Sequence, residues 1–132
     1  MKLHADLPLA SSIIAYGEGW LQLPQERLEH SLLLSGEGWH QPWDCPRFEA
    51  LQPAHLQALA DAAGQRQAQV VLLGSGARTR FPATAWLRPF ITQQLGLEVM
   101  DTAAACRTFN ILVGEGRRVL AGLILERSIE SM

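Results

Sequence analysis

Cysteine is scarce in this chain of 132 residues, with Cys45 and Cys106 the only two. That is too few for the disulfide scaffold of a small secreted domain, and neither stands in a Cys-x-x-Cys or Cys/His pattern with metal spacing. A reducing cytoplasm fits this usage, and no metal or cofactor is implied. Lysine is scarcer still: Lys2 stands alone beside ten arginines, and no basic block occurs. Eleven basic against thirteen acidic side chains give a net charge of −2. A phosphate-backbone partner needs a Lys/Arg surface, so nucleic acid is not expected. Apolar runs stay far below the roughly 18 residues that span a bilayer, and Asp6 and Pro8 interrupt the apolar core that a signal peptide requires. No membrane span and no export signal are expected.

What is present points to one globular domain over residues 1–132, since 48% of the residues are hydrophobic and 18% charged. In the first half, β-branched and aromatic residues cluster between turn signals. Strands are expected over 12–16 and 20–23, joined as a hairpin by Gly17-Glu18-Gly19, and over 30–35. The pattern Gly-Glu-Gly-Trp-x-Gln occurs at 17–22 and again at 36–41, too short a match for a duplication. Trp39, Pro42, Trp43, Cys45 and Pro46 make a stiff segment expected to be irregular, because proline gives a central strand no donor.

The second half alternates helix and strand. Pro53 starts a helix expected to reach Ala63 and stop at Gly64, with Leu56, Leu59, Ala60 and Ala63 on one face. Val70-Val71-Leu72-Leu73 is apolar throughout, as in a strand covered on both faces. A helical stretch over 82–95, kinked or divided by Pro89, closes at Gly96, and a short strand follows over 97–100. Asp101 is placed to cap a third helix from Thr102 to about Val113, ended by Gly114 and followed by a last strand over 118–125. Strand, crossover and strand in series imply parallel pairing for 69–73 with 97–100. The sheet is expected to be mixed, with the N-terminal hairpin either at its edge or as a layer folded against it.

Open α/β sheets bind ligands beyond the carboxyl ends of parallel strands. Two loops lie there: one holds Gly74, Ser75, Gly76, Arg78 and Arg80, the other Asp101 and Thr102. A small anionic ligand would suit the glycines and the arginine pair, although the motif is neither a dinucleotide fingerprint nor a P-loop. A tight turn with solvated arginines explains the same residues. On the third helix, Ala105, Phe109, Leu112 and Val113 share one side, with Ala104 and Ile111 extending the apolar surface. A sector of Cys106, Arg107 and Asn110 is left over. Arg107 would favour a Cys106 thiolate, but all four histidines lie in the first half, and free Cys is among the most buried residue types. No catalytic constellation is complete.

Residues 98–110, Glu-Val-Met-Asp-Thr-Ala-Ala-Ala-Cys-Arg-Thr-Phe-Asn, closely resemble the signature of the Mth938-like family of small domains. The match extends back through Val71-Leu72-Leu73-Gly74-Ser75-Gly76, Pro82 and the Gly96 turn, and forward through Glu115-Gly116-Arg117-Arg118-Val119. Phe109 stands where tyrosine is common, which removes a phenol from that position. The resemblance implies a three-layer α/β domain with a mixed central sheet, flanking helices and an added N-terminal antiparallel β-layer. It also implies kinship with bacterial and archaeal proteins largely of unknown function and with a mitochondrial factor that assists assembly of respiratory complex I. The leading expectation is a non-enzymatic assembly or adaptor protein with a protein partner. The alternative is a ligand-binding domain or enzyme using the crevice between residues 74–80 and 101–110.

Overall fold

The computed structural model describes residues 12–127. Gly17-Glu18-Gly19 joins β1 (Ala15–Gly17) to β2 (Trp20–Gln22) as the expected hairpin, with Tyr16 opposite Leu21. A strand that sequence reasoning missed, β3 (Arg27–Leu28), pairs with β2 to make a three-stranded antiparallel sheet. Two residues carry no alternation to read. Next, β4 (Leu32–Ser35) is buried at every position and pairs antiparallel with β5 (His40–Pro42). The stretch expected to be irregular therefore contains a strand. Pro42 is tolerated because β5 lies at a sheet edge, where a missing donor breaks no inner ladder.

The first helix, α1 (Pro53–Gln65), buries Leu56, Leu59, Ala60 and Ala63, as their spacing predicts. It runs past Gly64, and the left-handed residue is Gln67, at φ 55°. Beyond it, β6 (Val70–Gly74) pairs parallel with both β7 (Leu97–Met100) and β8 (Val119–Leu123), while β4 pairs antiparallel with β8. The larger sheet is thus mixed, in the order β5-β4-β8-β6-β7. Pro89 divides the stretch over 82–95 as expected: a 3-10 turn (Thr84–Leu87) runs into a short α2 (Arg88–Thr92). That helix stops before Gly96, and Gln94, at φ 58°, makes the left-handed turn. The third helix, α3 (Thr102–Gly114), includes Gly114, and the positive φ of 78° falls on Gly116. In all three helix endings the glycine nearest the boundary drew the prediction, whereas the turn formed where the next element required it.

Layering follows from which side chains each sheet face meets. On one face α1 and α2 cover Leu33, Val71, Leu73 and Leu120. On the other, α3 and the small sheet cover Leu34, Leu72, Ala121 and Leu123, with Leu21 and Leu28 meeting Cys106 and Phe109. The N-terminal hairpin is a layer folded against the sheet, not an extension of its edge. Trp43 packs against β8 at Gly122, where a Cβ would stand 2.9 Å from two ring carbons. Its indole N–H donates to the His55 carbonyl at 3.2 Å. Trp39 packs under the Arg66 guanidinium, 3.8 Å from the ring centroid. The tryptophans of this segment thus anchor it. No helix among the described residues is long and apolar enough to cross a membrane.

Candidate functional site

The loop after β6 and the start of α3 do meet. Ser75 is fully buried, and its N–H donates to the Met100 carbonyl at 2.8 Å. Its hydroxyl lies 2.7 Å from the Arg78 carbonyl and 3.1 Å from that of Met100, and it accepts the Arg80 N–H at 3.0 Å. Gly76, at φ 101°, donates its N–H to Thr102 Oγ1 at 2.8 Å and accepts the Thr102 N–H at 2.9 Å. The Thr102 hydroxyl in turn donates to the Ile124 carbonyl at 2.7 Å. Asp101 caps α3 by accepting the Ala104 N–H at 2.8 Å. These bonds tie the ends of β6 and β7 together, and a hollow lies beside them where a ligand crevice was expected, between residues 76–77 and the first residues of α3.

Arg80 is committed as well. Its guanidinium donates to both Glu126 oxygens at 2.7 Å, to Glu49 at 2.9 Å and to the Ser75 carbonyl at 2.9 Å, and it stacks over Phe48. An anion would have to displace carboxylates to reach it. Burial raises the Glu126 carboxyl, but the Phe48 and Ala77 amides and the Arg80 guanidinium outweigh it and hold the group below its ordinary pKa. Arg78 is exposed. Two hollows flank the pair. One, of about 750 Å³, lies between Trp43, Cys45 and Arg47 on one side and Leu125 and Arg127 on the other. The second, of about 440 Å³, lies between the β1–β2 turn, Gly76 and Ala77, and the first residues of α3. It is lined by the acidic residues Glu18, Asp101 and Glu126 against one basic residue, Arg127, a balance of the wrong sign for an anion at a helix N-terminus.

The three remaining candidates do not form a shared sector. Cys106 belongs to the core beside Ala105 and Phe109, and burial pushes its thiol up to about 12 against the lowering effect of Arg107. At neutral pH that leaves no useful thiolate. Cys45 is likewise buried, its thiol pushed up to about 11. Arg107 is exposed and donates to the Tyr16 hydroxyl at 3.2 Å. Asn110 accepts the Ile13 N–H at 2.9 Å and donates to the Ile13 carbonyl at 2.8 Å, so its amide pairs with the chain entering β1 as a neighbouring strand would. Ile111, expected to extend the apolar surface, is 61% exposed. The polar direction of α3 is rotated by about one residue from the expected one. Sequence reasoning missed Thr79, Glu49 and Glu126, whose roles depend on contacts between distant segments.

The fold and this loop lattice define a three-layer domain of the Mth938-like type. Residues 13–124 match the family described as "Protein of unknown function (DUF498/DUF598)", and the chain belongs to that family. A Bordetella pertussis protein whose solution structure is described as a Mth938-like domain is 31% identical, with a TM-score of 0.80 over 99% of this chain and 97% of that one. A crystal structure from Bordetella parapertussis is 34% identical, with a TM-score of 0.78 over 90% and 98%. The NADH dehydrogenase [ubiquinone] 1 alpha subcomplex assembly factor 3 of Danio rerio is 41% identical over 58 residues, 44% of this chain. The matched part is 33% of that relative's length.

Proposed function

We propose that this chain is an assembly or adaptor protein that works through protein contacts, its client a multisubunit complex of the respiratory or another membrane-bound kind. The observation that carries the reading is the relationship to the zebrafish assembly factor. Support comes from the loop lattice: apart from Arg80 Nε, the polar side-chain atoms of Ser75, Arg80 and Thr102 are bonded to one another's backbone and that of Gly76, to Glu49 and Glu126, and to the Arg78, Met100 and Ile124 carbonyls. A cytoplasmic location belongs to the same proposal, supported by two buried thiols that form no bridge.

Deleting the chain from a cell that makes it tests this reading. Native electrophoresis of the membranes should show less of the complete NADH-oxidising complex and an accumulation of subassemblies, restored by the full chain. Unchanged amounts of every membrane complex, together with native-level purification that recovers no complex subunit, would overturn it.

A further inference from the structure

The two edges of the larger sheet are finished differently. At β5 the edge ends in Pro42 and turns into the buried Trp43. At β7 the direction of every backbone group follows from one bond. Ser75 N–H donates to the Met100 carbonyl at 2.8 Å, with Gly74 opposite Met100. In a parallel ladder alternate residues face the neighbouring strand, so Glu98 and Met100 bond to β6, while Leu97, Val99 and Asp101 point outward. Thr79 Oγ1 accepts the Asp101 N–H at 3.1 Å. Among the described residues, the N–H and C=O groups of Leu97 and Val99 have no partner.

Glu98 lies between those two open residues, exposed and without an ion pair among the described residues. A second copy pairing about a two-fold axis, Leu97 opposite Val99, would set Glu98 against its symmetry mate, and like charges directly opposite are destabilising. In that register the edge disfavours a second copy, and it favours a visitor with the opposite charge. The chain leading to the strand is largely apolar: Phe81 and Ile91, each 70% exposed, precede it, and Arg88 and Glu98 are the only charges over residues 81–100.

We propose that β7 is a docking edge for an extended segment of a partner protein. The segment adds antiparallel, with an arginine or lysine opposite Glu98 and an apolar residue on each side of it. Alternation puts the basic side chain on the Glu98 face and its two neighbours on the face of Leu97 and Val99. This inference rests on the reading that the chain works through protein contacts, and it gives that reading a surface and a partner chemistry.

The test uses the isotope-labelled full chain and two capped seven-residue peptides, one centred on Val-Arg-Val and a twin with glutamate replacing the arginine. By NMR the arginine peptide should shift the Leu97 and Val99 amides and slow their exchange with solvent. It should bind about fivefold tighter than its twin, and Glu98→Lys should reverse that order. Val99→Pro, which removes an outward N–H and no bond to β6, should weaken both peptides. If that variant does not fold, the reversal by Glu98→Lys still decides. Equal binding of the two peptides, no shift at Leu97 and Val99 with peptide at millimolar levels, or shifts centred on β5 would each overturn the proposal. So would self-association through β7. Peptide binding is read without reference to assembly, so an edge that binds in a chain whose deletion leaves assembly intact overturns the function and not the edge.

Discussion

Ser75 and Arg80 are five residues apart on one loop, yet they are fixed by opposite chemistry. Around Ser75 and Thr102 the bonds are between neutral groups, save the one from the Arg80 guanidinium to the Ser75 carbonyl, and Ser75 has no exposed surface. Around Arg80 the partners are two carboxylates, and the side chains of Arg80 and Glu126 keep contact with water. Neutral groups cost less to bury than charges, so a backbone-to-hydroxyl lattice suits the buried end of the loop and an ion pair the wetter end. The first half of the loop should hold under any condition in which the domain folds. The second should hold only while Glu126 is ionised.

The largest expected effect lies in the neutral half. Thr102→Val keeps the shape but strands the Gly76 N–H and the Ile124 carbonyl, at a cost of about 3 kcal/mol. Thr102→Ser restores the hydroxyl and should cost under about 1 kcal/mol. Urea midpoints at constant slope measure both, and the loss should be the same in low and high salt. Equality of the two variants would show that the hydroxyl is not what ties the loop to α3.

A smaller, conditional effect is expected in the charged half. Glu126→Gln should cost about 1 to 2 kcal/mol at neutral pH, because Arg80 keeps an acceptor but loses the charge, and the new NH2 faces either the Phe48 or the Ala77 N–H that a carboxylate oxygen accepted. Since the folded-state pKa of Glu126 lies below its ordinary value, its stabilisation is complete above that ordinary value. It is lost as pH falls through the folded-state pKa. The gap in stability between the native chain and Glu126→Gln should therefore narrow in acid, and also in high salt. A gap independent of both would assign Glu126 to the neutral kind of contact.

Local patterns foretold much of this arrangement. The continuous apolar run at 70–73 marked a strand covered on both faces, Pro89 marked a division, and Asp101 marked a cap, because each depends on its immediate neighbours. The meeting of residues 74–80 with 101–102 followed from parallel pairing of β6 and β7. Glu126 and Glu49 were not foreseen, since their bonds to Arg80 cross 46 and 31 residues of chain. The Cys106, Arg107 and Asn110 sector came apart for a different reason, with Cys106 buried as its residue type suggested. Helical periodicity gives the faces of α3 but not which of them the small sheet covers, and that sheet buried Cys106 while leaving Ile111 outside.

Asp101 stands between the two chemistries, since an acidic side chain here serves a neutral backbone amide. Its Oδ1 accepts the Ala104 N–H at 2.8 Å, while its own N–H is held by Thr79 on the outward side of β7. Asp101→Ala removes the acceptor and should cost about 1 kcal/mol. Asp101→Asn keeps an acceptor in place and loses only the attraction of a charge for the helix N-terminus, about 0.3 kcal/mol when exposed. Thermal unfolding of the three chains in matched buffer gives the ordering. Asn close to the native chain assigns Asp101 to the neutral lattice with Thr102. Asn as damaging as Ala would show that the charge itself is needed, and would place the start of α3 with the Arg80 and Glu126 pair as one electrostatic unit.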